Sequence, residues 1–148
     1  LWPSKQTRAA MPQGIRLEPA LSFESRIVAV RKIEAGATVG YGGTFRAARP
    51  MRIGVVPLGY ADGIPRALSN RGAFIVAGRR CPIAGRVCMN MTMLDLGTTD
   101  ARPGDRVVLI GSSGEASVTA DDWADWADTI SYEIVARLPA ALTRDYLP

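Results

Sequence analysis

The chain has 148 residues, 47% hydrophobic and 22% charged, which suits one soluble globular domain with a real core. Its 18 basic and 14 acidic residues leave a formal charge of +4. They are interspersed without a basic block, so no nucleic-acid partner is expected, and no apolar run approaches the ~20 residues of a membrane span. Histidine is absent, which excludes Ser-His-Asp and Cys-His nucleophilic schemes and the usual zinc ligand sets.

The first stretch, Leu1-Trp-Pro-Ser-Lys5, has neither a starting Met nor a basic head followed by an apolar core. The chain is therefore expected to be an excerpt from a longer protein. Residues 1–17 are polar, carry Pro3 and Pro12, and read as a linker or connecting arm. From Leu21 to Ile33 the alternation of Phe23, Ser25 and Ile27, then Val28 and Val30, predicts a strand buried on one face and then on both. Thr38–Phe45 reads as a second strand, whose three glycines suggest a bulge or a close backbone approach beside Tyr41. Ile53–Leu58 is an apolar strand that breaks into Gly59-Tyr-Ala-Asp-Gly-Ile-Pro-Arg66, a turn with Asp62 and Arg66 as possible ion partners. A polar loop follows through Ser69-Asn-Arg-Gly72.

Ala73–Val76 and Arg80–Ala84 predict a hairpin around Ala77-Gly78, with Pro82 at an edge or bulge. Arg86–Leu96 is the longest strand candidate, with Val87, Met89, Met91 and Met93 on one side as core filling. Arg106–Ile110 is a further strand, and 111–116 a loop. A helix starts after Thr119 as N-cap, with Asp121 and Asp122 at the positive end of its dipole and Trp123, Trp126, Ala127 and Ile130 as an apolar stripe. Thr129–Ile134 begins a second short helix ended by Pro139, and the tail from Leu142 reads as a terminal strand or extended segment. Short strands with turns every 8–12 residues predict a mainly β fold, an antiparallel barrel-like domain with one or two short helices. Cys81 and Cys88, seven apart in apolar stretches, read as buried reduced thiols, which suits a cytoplasmic protein.

Without histidine, the acid/base candidates are Tyr, Asp, Glu and the two lysines, Lys5 in the arm and Lys32 at a strand end. A phenol, ordinarily titrating near pH 10, donates protons at neutral pH and accepts them where cations stabilise the phenolate. Tyr41, Tyr60 and Tyr132 stand in glycine-rich, turn or helix-flanking contexts. No Gly-rich loop leads into a helix as a dinucleotide or P-loop site requires. An enzyme made of this chain alone is hard to build; a domain that lends residues to a site elsewhere is easier.

Four motifs in order, Val39-Gly-Tyr-Gly-Gly-Thr-Phe45, Gly59–Arg66, Gly85-Arg-Val-Cys-Met-Asn90 and Thr129-Ile-Ser-Tyr-Glu133, resemble the C-terminal domain of alanine racemase over nearly the whole chain. The resemblance implies a β domain over 18–148, preceded in the full protein by a (β/α)8 barrel that carries the Schiff-base lysine and pyridoxal 5′-phosphate. It implies a head-to-tail homodimer interconverting L- and D-alanine, the D form serving peptidoglycan, in which this domain completes the site on the partner's barrel. By the resemblance Tyr41 is the catalytic tyrosine on the L face. Met89 offers its backbone N–H to the substrate carboxylate, and Tyr132 meets the cofactor phosphate. Tyr60 joins the other two tyrosines at the inner end of the access channel, with Arg66 and Arg86 in its outer charged layer. Arg144 supports the site from behind. Asn90 stands where many members have Asp, which keeps hydrogen bonding but removes a charge beside the channel. The chain alone is expected to be inactive. The alternatives are a β domain from a broader amino-acid racemase or a basic amino-acid decarboxylase, and a non-catalytic binding or dimerisation module.

Overall fold

A computed structural model describes residues 9–14 and 17–146. Lys5 and most of the expected arm over 1–17 lie outside the described residues. Ten strands and two α-helices are present among them: β1 (Phe23–Arg26), β2 (Ala29–Ile33), β3 (Thr38–Val39), β4 (Phe45–Arg46), β5 (Met51–Val56), β6 (Ala73–Val76), β7 (Arg79–Pro82), β8 (Thr92–Asp95), β9 (Arg106–Ser113), β10 (Ala116–Val118), α1 (Ala120–Ala127) and α2 (Ser131–Ala136).

All pairings are antiparallel. One sheet runs β1-β9-β6-β7, with β10 also on β9; a second runs β2-β5-β8; β3 and β4 form a separate hairpin. Two links join the larger sheets. The isolated bridge Ile83↔Leu94 connects the end of β7 to β8. At the other side β1 and β2 are nearly one strand that changes partners: the Ile27 N–H donates to the Asp105 carbonyl at 2.9 Å and the Val28 N–H to the Val55 carbonyl at 2.9 Å. The strand path thus comes almost full circle, the barrel-like arrangement expected.

Packing follows from alternation. In β8 Thr92 and Leu94 point inward, and in β9 the run Val107–Ile110 is buried throughout. Trp123 of α1 fills the centre, stacked on Phe74 at 5.8 Å between ring centroids and edge-on to Phe23 at 6.3 Å, its Nε1–H donating to the Leu109 carbonyl at 3.0 Å. Burying an indole needs such a partner for the polar N–H. Thr119 caps α1 as expected. The Asp122 N–H donates to Thr119 Oγ1 at 3.0 Å, and Asp122 Oδ2 accepts from the Thr119 N–H at 2.7 Å. The β6–β7 hairpin turns at Ala77 (φ 48°) and Gly78 (φ 73°), two left-handed residues that match the twist of the strands, and Pro82 sits on the edge strand. Cys81 and Cys88 are both buried free thiols, and burial pushes the Cys81 thiol above its ordinary value.

Several expectations are corrected. Thr38–Phe45 is not one strand: Gly40, Gly42 and Gly43 all take positive φ, so the segment folds back as the β3–β4 hairpin around a 3₁₀ turn, Tyr41–Gly43. The long strand expected over 86–96 is strand only at β8, because the Cys88 N–H folds back to the Met91 carbonyl at 2.9 Å. Met89 and Met91 are consequently exposed rather than core filling. Val28 is exposed, and β2 after it has no fully buried residue, so the segment is not buried on both faces. Residues 111–116 are largely strand, since β9 runs on to Ser113 and returns in β10. Ile130 is exposed, ending the apolar stripe at Ala127. The segment 142–146 has no regular structure.

Candidate active-site surface

Four segments far apart in sequence meet on one side of the molecule: the Tyr41–Gly43 turn, the 3₁₀ turn Tyr60–Asp62, the loop 85–91 and helix α2. Each is held by its neighbour through backbone contacts, and each presents at least one of the residues singled out above.

The Tyr60 turn is locked onto the 88–89 loop. The Tyr60 N–H donates to the Cys88 carbonyl and the Ala61 N–H to the Met89 carbonyl, both at 2.9 Å. Gly59 makes the approach possible, because a Cβ there would stand 2.1 Å from the Cys88 oxygen. Thr92, fully buried, donates its hydroxyl to the Leu58 carbonyl at 2.8 Å and anchors the strand end just before the turn. Asp62 serves the turn itself: its Oδ2 accepts from the Gly59 N–H at 2.8 Å. The carboxylate read as a possible ion partner is thus a cap.

The Tyr41 turn lies against Arg86. A Cβ on Gly42 would sit 3.0 Å from Arg86 Nη1, and one on Gly40 would sit 3.1 Å from the Arg86 backbone nitrogen. The close approach expected beside Tyr41 is therefore present, and its partner is the Arg86 segment. Tyr41 itself projects outward, 72% exposed. Arg86 is half-buried, while Met89 and Asn90 stand exposed in the loop that follows.

On the other side of the Tyr60 turn, Gly63 packs on the C-terminal end of α2, where a Cβ would meet the Arg137 carbonyl at 2.9 Å. Tyr132 occupies the first turn of this six-residue helix, with its ring exposed. Glu133 beside it accepts from the hydroxyl of Thr129 and from Arg137 Nη1 at 3.0 Å, and the Thr129 and Arg137 contacts hold its carboxyl below the ordinary carboxylate range.

Tyr41, Tyr60, Arg86, Met89, Asn90 and Tyr132 are thus carried by four segments in contact with one another. Arg66 begins the next 3₁₀ turn, Arg66–Leu68, and is exposed beside the same loop system. Arg144 is exposed in the irregular tail, outside the network just described. Two residues that the sequence left in a polar loop belong to it: Ser69 Oγ accepts from the Val87 N–H at 3.0 Å, and Asn70 Oδ1 from the Gly85 N–H at 2.6 Å. Their signal was an Asn able to take the left-handed backbone, here φ 56°.

The surface is rich in hydroxyl, guanidinium and backbone donors, yet it is open. It has the parts of a site that receives an anion and moves a proton, without walls to exclude water. Met91, Ile130 and Val135 add exposed apolar area. No helix among the described residues is long and apolar enough to cross a membrane.

Comparison with known proteins agrees with this arrangement. The family profile described as alanine racemase, C-terminal domain, matches residues 20–146. The alanine racemase of Leptospira interrogans is 43% identical over 149 residues, covering 97% of this chain and 38% of that protein. The alanine racemase of Bacillus anthracis, solved with bound L-Ala-P, superposes with a TM-score of 0.86 at 34% identity, over 94% of this chain and 35% of that one. The enzyme from D-cycloserine-producing Streptomyces lavendulae gives 0.85 at 40% identity, over 89% of this chain and 35% of that one. The chain therefore spans little more than a third of the length of these relatives.

Proposed function

The chain belongs to the alanine racemase C-terminal domain family, and from that premise we propose that it completes the active site of a pyridoxal 5′-phosphate-dependent alanine racemase. In this reading it is the β domain, over 18–148, of a longer cytoplasmic protein whose barrel holds the cofactor, and it acts across the interface of a homodimer.

The donor set fits such a shared site in part. Phenol hydroxyls and guanidinium groups suit a phosphate and a carboxylate. A Schiff base needs a lysine, and Lys32 stands on β2 in register with Arg52, away from the four connected segments. The chain thus suits a contributor to the cofactor site, with Tyr132 as the hydroxyl that meets the phosphate. When bound, the cofactor supplies the electron sink that lets an α-proton leave.

The work of this chain is then positional and acid–base. Tyr41, as the phenolate, takes the α-proton of L-alanine on one face and becomes the phenol, which gives that proton back in the reverse direction. The Met89 backbone N–H holds the substrate carboxylate. Tyr60, with Tyr41 and Tyr132, narrows the way in, and Arg66 and Arg86 attract a carboxylate before it arrives. Asn90 adds hydrogen bonding without charge. Docking this open surface against a barrel would remove water, which strengthens each of these interactions.

The observation that carries the reading is the outward projection of Tyr41 from a turn seated on Arg86, in the loop segment that also bears the exposed Met89 and packs against the Tyr60 turn. Its test is Tyr41→Phe in the full-length protein. Racemisation should fall by about 10³-fold, the scale of a lost general acid–base group, with thermal stability unchanged. Unaltered turnover would exclude Tyr41 as the proton carrier.

A further inference from the structure

We propose that Asn70 is a positioning residue for Tyr41: its side-chain amide ties the turn that carries the phenol to the Gly85–Val87 segment. The inference rests on the reading of Tyr41 as the proton-transfer group.

Both ends of the amide are used, and both reach far along the chain. Oδ1 accepts from the Gly85 N–H at 2.6 Å, and Nδ2 donates to Thr44 Oγ1 at 3.1 Å. The Asn70 backbone N–H adds a bond to the Gly85 carbonyl at 3.2 Å. Thr44 is the residue that closes the Tyr41–Gly43 turn. The amide therefore spans the end of that turn and the start of the Arg86 segment, while Arg86 itself lies under Gly42. Next to Asn70, Ser69 Oγ takes the Val87 N–H at 3.0 Å, so the same loop grips the backbone on both sides of Arg86.

Asn70 achieves this at φ 56°, a left-handed conformation that Asn, Asp and Gly tolerate and other residues resist. A residue needed only to turn the chain would use its backbone alone; here the side chain cross-links two of the four segments. Tyr41 is 72% exposed, with little packing around its ring to orient it, so the conformation of its turn decides where the hydroxyl points. A misplacement on the order of 1 Å at a proton-transfer group is enough to lower turnover substantially.

Three substitutions separate the contacts. Asn70→Gly keeps the left-handed backbone and removes both side-chain bonds. Thr44→Val removes only the hydroxyl. Asn70→Asp retains an acceptor for the Gly85 N–H and lets the Thr44 hydroxyl donate instead of accept. The full-length protein with pyridoxal 5′-phosphate is assayed in both directions with α-protonated and α-deuterated alanine, beside Tyr41→Phe. We expect kcat to fall about tenfold in Asn70→Gly and several-fold in Thr44→Val, with the double variant no worse than Asn70→Gly and Asn70→Asp recovering most of the loss. The primary isotope effect should rise for L-alanine and not for D-alanine, because only the L-face step is impaired, while cofactor content is unchanged. The proposal is overturned if both single variants keep parental kcat. It is also overturned if turnover falls only with melting temperature, leaving both isotope effects unmoved. If Tyr41→Phe retains full turnover, the reading of Tyr41 fails and this inference with it; if Tyr41→Phe is inactive and the Asn70 variants are normal, only the positioning role fails.

Discussion

The two sides of this domain use aromatic residues in opposite ways. In the core Phe23, Phe74 and Trp123 are buried against one another, and the strands around them follow simple alternation. On the candidate site surface Tyr41, Tyr60 and Tyr132 are exposed and stand on turns or a helix end, where backbone hydrogen bonds between distant loops replace side-chain packing. The core obtains its order from apolar area removed from water. The surface obtains its order from a scaffold of backbone hydrogen bonds beneath it. On the proposed function, in which this surface meets a ligand and a second domain, functional groups left unburied are what the role requires.

The contrast implies that the two sides fail differently. Trp123→Ala should have the largest effect, about 3–5 kcal/mol of unfolding free energy, the usual cost of emptying a large aromatic site. Chemical denaturation measures it, and a loss below about 1 kcal/mol would mean that the core is not centred on this indole. Tyr132→Phe should leave stability intact while weakening cofactor retention by about 1.5–3 kcal/mol, the value of one hydrogen bond to a charged group. Dialysis followed by quantitation of the remaining pyridoxal phosphate checks this, and parental retention would remove Tyr132 from the phosphate site.

Gly59→Ala probes the joint between the two sides. Its Cβ would collide with the Cys88 and Met89 carbonyls, so the loop must move. We expect a loss of about 1–3 kcal/mol in stability, typical of overpacking, together with a fall in activity out of proportion to it. Equal and modest changes in both would show that the loop adjusts without disturbing the site.

The smallest effect belongs to the surface of the core sheet. The Glu24 carboxylate accepts from Arg106 Nε at 2.6 Å, and this hydrogen bond holds it below the ordinary carboxylate range. A carboxylate depressed in the folded state contributes stability above its unfolded pKa and loses it as pH falls through the folded value. Glu24→Gln should therefore cost less than about 1 kcal/mol at pH 7, as expected of an exposed pair, and the gap should close in the acid range below about pH 4. A gap that widens on acidification would contradict the sign.

Local signals were legible where local physics decides. Thr119 followed by Asp122 announced a capped helix, Ala77-Gly78 a hairpin, and the Phe23–Ile27 alternation a one-sided strand; the structure has all three. Four short motifs in order announced the family, although each is weak alone. Reading failed where a locally plausible strand is bent by distant partners. Thr38–Phe45 and 86–91 read locally as strands, but glycines at positive φ fold the first. Backbone bonds from Tyr60 and Ala61 claim the carbonyls of the second, and the methionines assigned to the core turn outward.

The sequence by itself determined the elements whose cause lies within a few residues: caps, tight turns, strand alternation, and the absence of histidine that turned attention to tyrosine. Tertiary structure alone decided which of the tyrosine-bearing segments touch. How the segments carrying Tyr41 and Tyr60 sit on the 85–89 loop depends on Gly59 allowing one turn to touch the Cys88 carbonyl, on Gly42 allowing Arg86 beneath another, and on Asn70 spanning Thr44 and Gly85. Those contacts join residues 15 to 44 positions apart, and no periodicity along the chain encodes a hydrogen bond between loops.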